Sequence, residues 1–189
     1  MANSPKDISS TALKIFNPDA IYVTPFKENQ RGTDTYKLSE VIKDTTSIVQ
    51  DDPEETKIEN EFSSAPILSN INLGSYQFSA DVADMQATVL EKLCGYVKGT
   101  QDTDRIFAPA KYTPVFAEIV LTFKVSDSKT VAAVLPKVQL NSKATFESLS
   151  SNLGVIRLAG AGQNIAVTDG ETQKETPFYI DTQWSASEL

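Results

Sequence analysis

The chain has 189 residues, 40% hydrophobic and 22% charged, a balance ordinary for one soluble domain able to bury a full core. It has no histidine and one cysteine, which removes Ser-His-Asp and Cys-His catalysis, histidine metal sites and any internal disulfide framework. A net charge of −8 and a pI near 4.6 argue against a surface that neutralises nucleic-acid phosphates, but not against one that nucleic acid slides past.

In chain order, residues 1–20 read as an irregular arm, with Pro5 and Pro18, little periodicity and no apolar stretch of the secretory-signal kind. Residues 21–189 read as a single domain. No apolar run approaches the roughly 20 residues that span a bilayer. Short alternating runs predict strands near 21–25, 35–43, 45–50, 56–62, 72–80, 115–126, 130–138, 153–159, 164–168 and 176–184. Turn chemistry divides them at Asp51-Asp52-Pro53, Asp127-Ser128, Gly160-Ala161-Gly162 and Asp169-Gly170.

One helix is expected over about 84–97. Met85, Val89 and Leu93 recur at four-residue intervals, and Leu90 and Val97 widen the stripe. Asp84 suits the N-cap, and Gly95 or Gly99 can end the helix in a left-handed conformation. The expected fold is mainly β, an antiparallel β-sandwich or half-barrel with this single flanking helix.

Two strands declare their faces. In TKIENEF, Ile58 and Phe62 point one way and Lys57, Glu59 and Glu61 the other. In GSYQFSAD, Tyr76, Phe78 and Ala80 share one side, and Ser75, Gln77 and Ser79 the other. A one-residue slip would expose every core residue, so the register is strongly specified.

Few residues suggest chemistry. The run from Asp51 to Glu61 carries Asp51, Asp52, Glu54, Glu55, Glu59 and Glu61 against Lys57 alone. It lacks the D-x-[DN]-x-[DN]-G spacing of a calcium loop, so it reads as a solvated hairpin tip or as a negative field for repulsion or docking, and no metal site is expected. Asp81 and Asp84 read as helix-start residues rather than an acid–base pair. Gly160 and Gly162 lack the third glycine of a phosphate loop. Ser126 and Lys129 match S-x-x-K without its companion motifs. Cys94 reads as a packed small hydrophobe, and Trp184 as an anchor in the core or at a subunit contact. No catalytic residue and no cofactor is expected.

The stretch from about Val41 to Val97 resembles the major tail tube proteins of long-tailed phages. TTSIVQDDPEETKIENEF, then API, then YQFSADVADMQATVLEKLCG carry the resemblance: a strand, an acidic Pro-containing connection, a T-K-I-E-x-E-F strand, a short P-I segment, and an F-x-A-D-x-A-D strand end that runs into a helix. The match covers roughly 55–60 residues and becomes one of general pattern after about 110.

The resemblance implies a fold shared with contractile-tail and type VI tubes, in which six subunits close a ring and rings stack around a negatively charged lumen that conducts the genome into the host. It implies Lys57, Glu59, Glu61, Ser75, Gln77 and Ser79 as lumen-facing residues, and Asp51, Asp52, Pro53, Glu54 and Glu55 as an inter-ring or inter-subunit loop. Implied partners are further copies of the chain, a tape measure protein, a tail terminator and passing DNA, in a virion tail assembled in the bacterial cytoplasm, with no membrane. Two other readings compete. A monomeric β-sandwich module for a ligand or carbohydrate would cluster its aromatics, whereas Tyr22, Tyr36, Tyr112 and Trp184 are scattered in sequence. A carboxylate hydrolase would need two acids facing a cleft.

Overall fold

The computed structural model describes residues 18–60, 63–83, 86–102, 105–111, 113–145 and 154–188. Its strands are β1 (Ala20–Lys27), β2 (Gln30–Arg31), β3 (Tyr36–Leu38), β4 (Ser47–Gln50), β5 (Glu54–Asn60), β6 (Ser63–Asn72), β7 (Tyr76–Val82), β8 (Val97–Lys98), β9 (Ile106–Phe107), β10 (Val115–Ser126), β11 (Lys129–Leu140), β12 (Lys143–Thr145), β13 (Val155–Gly162), β14 (Ile165–Asp169), β15 (Thr172–Thr176) and β16 (Tyr179–Asp181). One helix, α1 (Ala87–Cys94), lies between β7 and β8. Among the described residues the fold is mainly β and antiparallel with a single flanking α-helix, as expected, and a 3-10 turn at Ala186–Glu188. Among the described residues no helix is long and apolar enough to cross a membrane.

Ten strands form one sheet, in the order β2-β1-β10-β11-β13-β7-β4, with β3 on β1, β12 on β13 and β16 on β11. Its centre is the long β10–β11 hairpin, turned at Asp127-Ser128 and paired from Val115–Leu140 to Ser126–Lys129. The ladder shifts where two residues, Pro136 and Lys137, oppose Glu118 alone. Proline has no N–H for the ladder, so a bulge is where it can sit within a strand. The bulge leaves the Lys137 ammonium 4.9 Å from the Phe116 ring centre and 5.6 Å from that of Phe26.

The stretch 36–42 ties the sheet's margins together. Tyr36–Leu38 pairs with Ile21–Val23 of β1. A few residues on, Val41 bridges Val82 of β7, the Ile42 N–H donates to the Asp81 carbonyl and the Ala83 N–H to the Glu40 carbonyl. The sheet therefore curls around a single core, in the manner of the expected half-barrel.

Alternation fills that core. Ile21 and Val23 of β1, Ala117, Ile119 and Leu121 of β10, Leu135, Val138 and Leu140 of β11, Ile156 and Leu158 of β13, and Phe78, Ala80 and Val82 of β7 all point inward. Leu90 and Leu93 of α1 close it. A second, smaller cluster lies on the opposite face of the β10–β11 hairpin. There Val120, Ala132 and Val134 are covered by Tyr22, Tyr179 and Trp184, with the Tyr22 and Trp184 rings 5.8 Å apart. Trp184 is thus an anchor, and two aromatics far apart in sequence meet.

Several boundaries differ from the sequence reading. The helix spans 87–94, not 84–97. Gly95 adopts φ 71°, and its N–H returns to the Leu90 carbonyl, so the helix stops there. Val97 consequently belongs to β8 and is 59% exposed rather than part of the apolar stripe. Gln86 takes the N-cap position without a side-chain cap bond, while Asp84 and Met85 lie outside the described residues. The strand expected over 72–80 is two: β6 ends at Asn72 and β7 begins at Tyr76. The 176–184 strand divides into the end of β15 and β16.

Gly160-Ala161-Gly162 is no turn. It is the end of β13, paired with both β11 and β7. A β-carbon on Gly160 would fall 2.4 Å from the Gln139 carbonyl oxygen, so glycine serves close strand packing there.

Leu93 is 2% exposed in the main core. Leu93→Ala is expected to lower unfolding stability by about 2–5 kcal/mol, read as a shift in urea midpoint at constant slope. Burial pushes the neighbouring Cys94 thiol up to about 11. At pH 8 roughly one thiol in a thousand is then ionised, so iodoacetamide should label the native protein slowly and the unfolded chain fast.

Candidate assembly face

The side of the β11/β12-β13-β7-β4 portion that faces away from the core is hydrophilic, and its residues can be followed row by row through the register. Lys143 faces Arg157, which faces Asp81. In the next row Ala159 faces Ser79, and Ser79 faces Ser47. In the third, Gln139 faces Ala161, Ala161 faces Gln77, and Gln77 faces Val49. The inward neighbours Phe78, Ala80, Ile156 and Leu158 are buried, so alternation sends these residues outward.

Polar bonds run across the strands of this face. The Ser47 and Ser79 hydroxyl oxygens are 2.9 Å apart. The Gln77 amide donates to an Asp51 carboxylate oxygen at 2.8 Å, and Gln163 donates to the Gln139 amide oxygen at 3.2 Å. Arg157 grips Asp81 with two guanidinium nitrogens, at 2.8 and 2.9 Å. The Arg157 bond holds the Asp81 carboxyl below its usual value, partial burial opposing. Asp81 was expected at the helix start, yet it sits in β7 and serves this ion pair.

The structure divides the six residues that the resemblance implied for a lumen. Gln77 and Ser79 lie on this face, and Ser75 is exposed just before β7. Lys57 and Glu59 instead belong to β5, which pairs only with β6 in a separate two-stranded sheet. The ladder there shifts on both sides of Glu59, where Ile58 pairs with Leu68 and Glu59 with Pro66. The residues left unpaired at these shifts belong to β6. Glu61 lies outside the described residues.

The β5–β6 hairpin extends the β4–β7 pair as an arm. Asp51, Asp52 and Pro53 link β4 to β5, Glu54 and Glu55 open β5, and all five are exposed. The Asp51 N–H donates to the Ser75 carbonyl at 2.8 Å and so joins the two ribbons at their root.

Sequence reasoning missed Arg157, Lys143, Gln139 and Asp81 as members of this face. The Ile156-Arg157-Leu158 alternation signals that Arg157 points outward, but nothing local names its partner, 76 residues away. Among the described residues no group of three His, Cys, Asp or Glu side chains could hold a metal ion.

Two strands border the face with an open edge. β4 pairs only with β7 and β12 only with β13 among the described residues. No family model matches this chain, and no curated protein matches it.

Because Asp81 titrates lower folded than unfolded, its bond with Arg157 stabilises the fold above about pH 4, the ordinary aspartate range, and is lost as pH falls through the lowered folded value. Asp81→Asn should therefore be less stable than the parent at pH 6, with the difference shrinking as pH falls below the ordinary aspartate range, measured by urea midpoint at each pH.

Proposed function

We propose that this chain is the structural subunit of a phage tail tube, without enzymatic activity, whose copies close into hexameric rings that stack around a DNA-conducting lumen. The observation that carries the reading is the two-faced sheet whose bordering strands β4 and β12 each pair on one side only among the described residues. An exposed strand edge is a template for another strand. Directions alternate across β4, β7, β13 and β12, so β4 of one copy would lie antiparallel to β12 of the next, the geometry a continued sheet needs. Repeated around a ring, that pairing removes every such edge and turns the row of Gln77, Ser79, Ala159 and Arg157 toward one common surface.

The chemistry of that surface suits a conduit. Amides, hydroxyls and the Asp81–Arg157 ion pair make up most of that surface, beside Lys143, and offer DNA hydration with little of the counterion release that drives binding. The net charge of −8 adds repulsion within a Debye length of about 8 Å. In this reading Asp51–Glu55 and the β5–β6 arm lie between rings or subunits. A tape measure protein and a tail terminator are the further partners, and the virion tail, assembled in the bacterial cytoplasm, is the location.

Negative-stain microscopy and light scattering across a concentration series test the assembly. Rings or tubes with a central hole are expected. A strict 20.6 kDa monomer at every concentration would overturn the reading and favour a monomeric ligand-binding β-sandwich. The lumen assignment has its own test. Gln77→Lys with Ser79→Lys should still assemble, since both face outward, and should retain DNA on the tubes in a salt-dependent manner. Assembly with no gain in DNA retention would place this face on the tube exterior.

A further inference from the structure

At the root of the arm, Gln50, Leu73, Tyr76, Glu175, Pro177 and Phe178 line an open cleft of about 490 Å³. Its apolar wall is built: the Tyr76 and Phe178 rings stack with centroids 4.8 Å apart. Leu73 stands over it 81% exposed, and Ile71 beside it is 63% exposed. Asp51, Asp52, Glu54 and Glu175 surround the same root, and none of the four is in an ion pair among the described residues. A cleft that joins an aromatic wall to a polar lining and a rim of carboxylates suits an occupant that is apolar at its tip and cationic around it.

The β8–β9 hairpin has that chemistry. Val97 and Phe107 are direct cross-strand partners, 59% and 54% exposed. Around them Lys92 and Lys98 both reach the Glu91 carboxylate, at 2.8 and 3.3 Å, and the Asp34 charge also acts on Lys92. Lys111 is exposed with no ion pair among the described residues, and Arg105 is balanced by Asp102.

We propose that the β8–β9 hairpin of one copy docks into the arm-root cleft of a second copy, Phe107 against Leu73 and Phe178, with Lys98 and Lys111 facing Glu54 and Glu175. In the assembly proposed above the contact is heterologous, one copy's hairpin entering the next copy's cleft, and it propagates into rings or stacks. The inference rests on the assembly proposed above and assigns one contact within it.

A cross-linking experiment with the full chain tests it. Leu73→Cys and Phe107→Cys are each made in a Cys94→Ala background, mixed under assembling conditions and oxidised. Disulfide-linked dimers in the mixture, about tenfold above either variant alone and lost in 1 M salt, are expected, because a disulfide requires the two Cα atoms to come within about 7 Å. Rings or tubes that form without cross-links above the single-variant background would overturn this contact while leaving the tube reading intact. An assembling Phe107→Asp variant, with rings as abundant as the parent's, would overturn it as well. A parent that never assembles would overturn both.

Discussion

The two-sided burial of the β10–β11 hairpin is the constraint on which the rest of the fold depends. Its inward residues, among them Ile119, Leu121, Leu135 and Val138, form the middle of the main core. Its outward residues Val120, Ala132 and Val134 are just as deeply buried, under Tyr22, Tyr179 and Trp184. Each such aliphatic side chain contributes roughly 1.5–3 kcal/mol of transfer free energy, so a strand pair buried on both faces is the natural place to root a sheet. The hairpin offers two edges: β10 takes β1, while β11 takes β16 along one stretch and β13 along another. The order of the remaining strands follows from those attachments.

A consequence appears at the far side of the sheet. From β13 outward, through β7 to β4, only the inner face has a core to join, and the outer face becomes polar. Stability is thus concentrated in the β1-β10-β11 region. Among the described residues the β4 and β12 margins pair on one side only, and Val49 of β4, Ile71 of β6 and Val97 and Phe107 of the β8–β9 hairpin are exposed apolar side chains. An exposed edge that is neither covered nor blocked invites pairing, which is why the assembly proposed above is drawn from these margins.

The elements legible in the sequence were those whose signal is local. β1, β10, β11 and β14 lie within a few residues of where alternation placed them, and Leu93 lies on the buried side of the helix. Elements were misjudged where a non-local contact overrides a local signal. Gly160-Ala161-Gly162 reads as a turn because glycines usually mark one, yet in β13 they admit the β11 backbone. Asp81 reads as a helix-start residue until Arg157, far along the chain, arrives beside it. Val97 continues a helical period that Gly95 has already ended. Half of the candidate face was legible, in Gln77 and Ser79, because the strand that bears them alternates cleanly. Its other half comes from β13, where Arg157 is the one polar residue among aliphatics, alanines and glycines, and from β12, whose three residues are too few to show a period.

By itself, then, the sequence determined the antiparallel β class, the single helix, the absence of histidine chemistry and the side of β7 that meets water. Each of these follows from a residue type or from a period of two or 3.6 residues, which a stretch of ten positions is enough to express. Only the tertiary structure decided which strands are neighbours, that the acidic connection roots a separate two-stranded arm, and that Arg157 neutralises Asp81. Strand pairing joins positions as distant as Ala20 and Thr122, or Tyr22 and Trp184, and its energy resides in long-range register and packing that no single window of sequence contains.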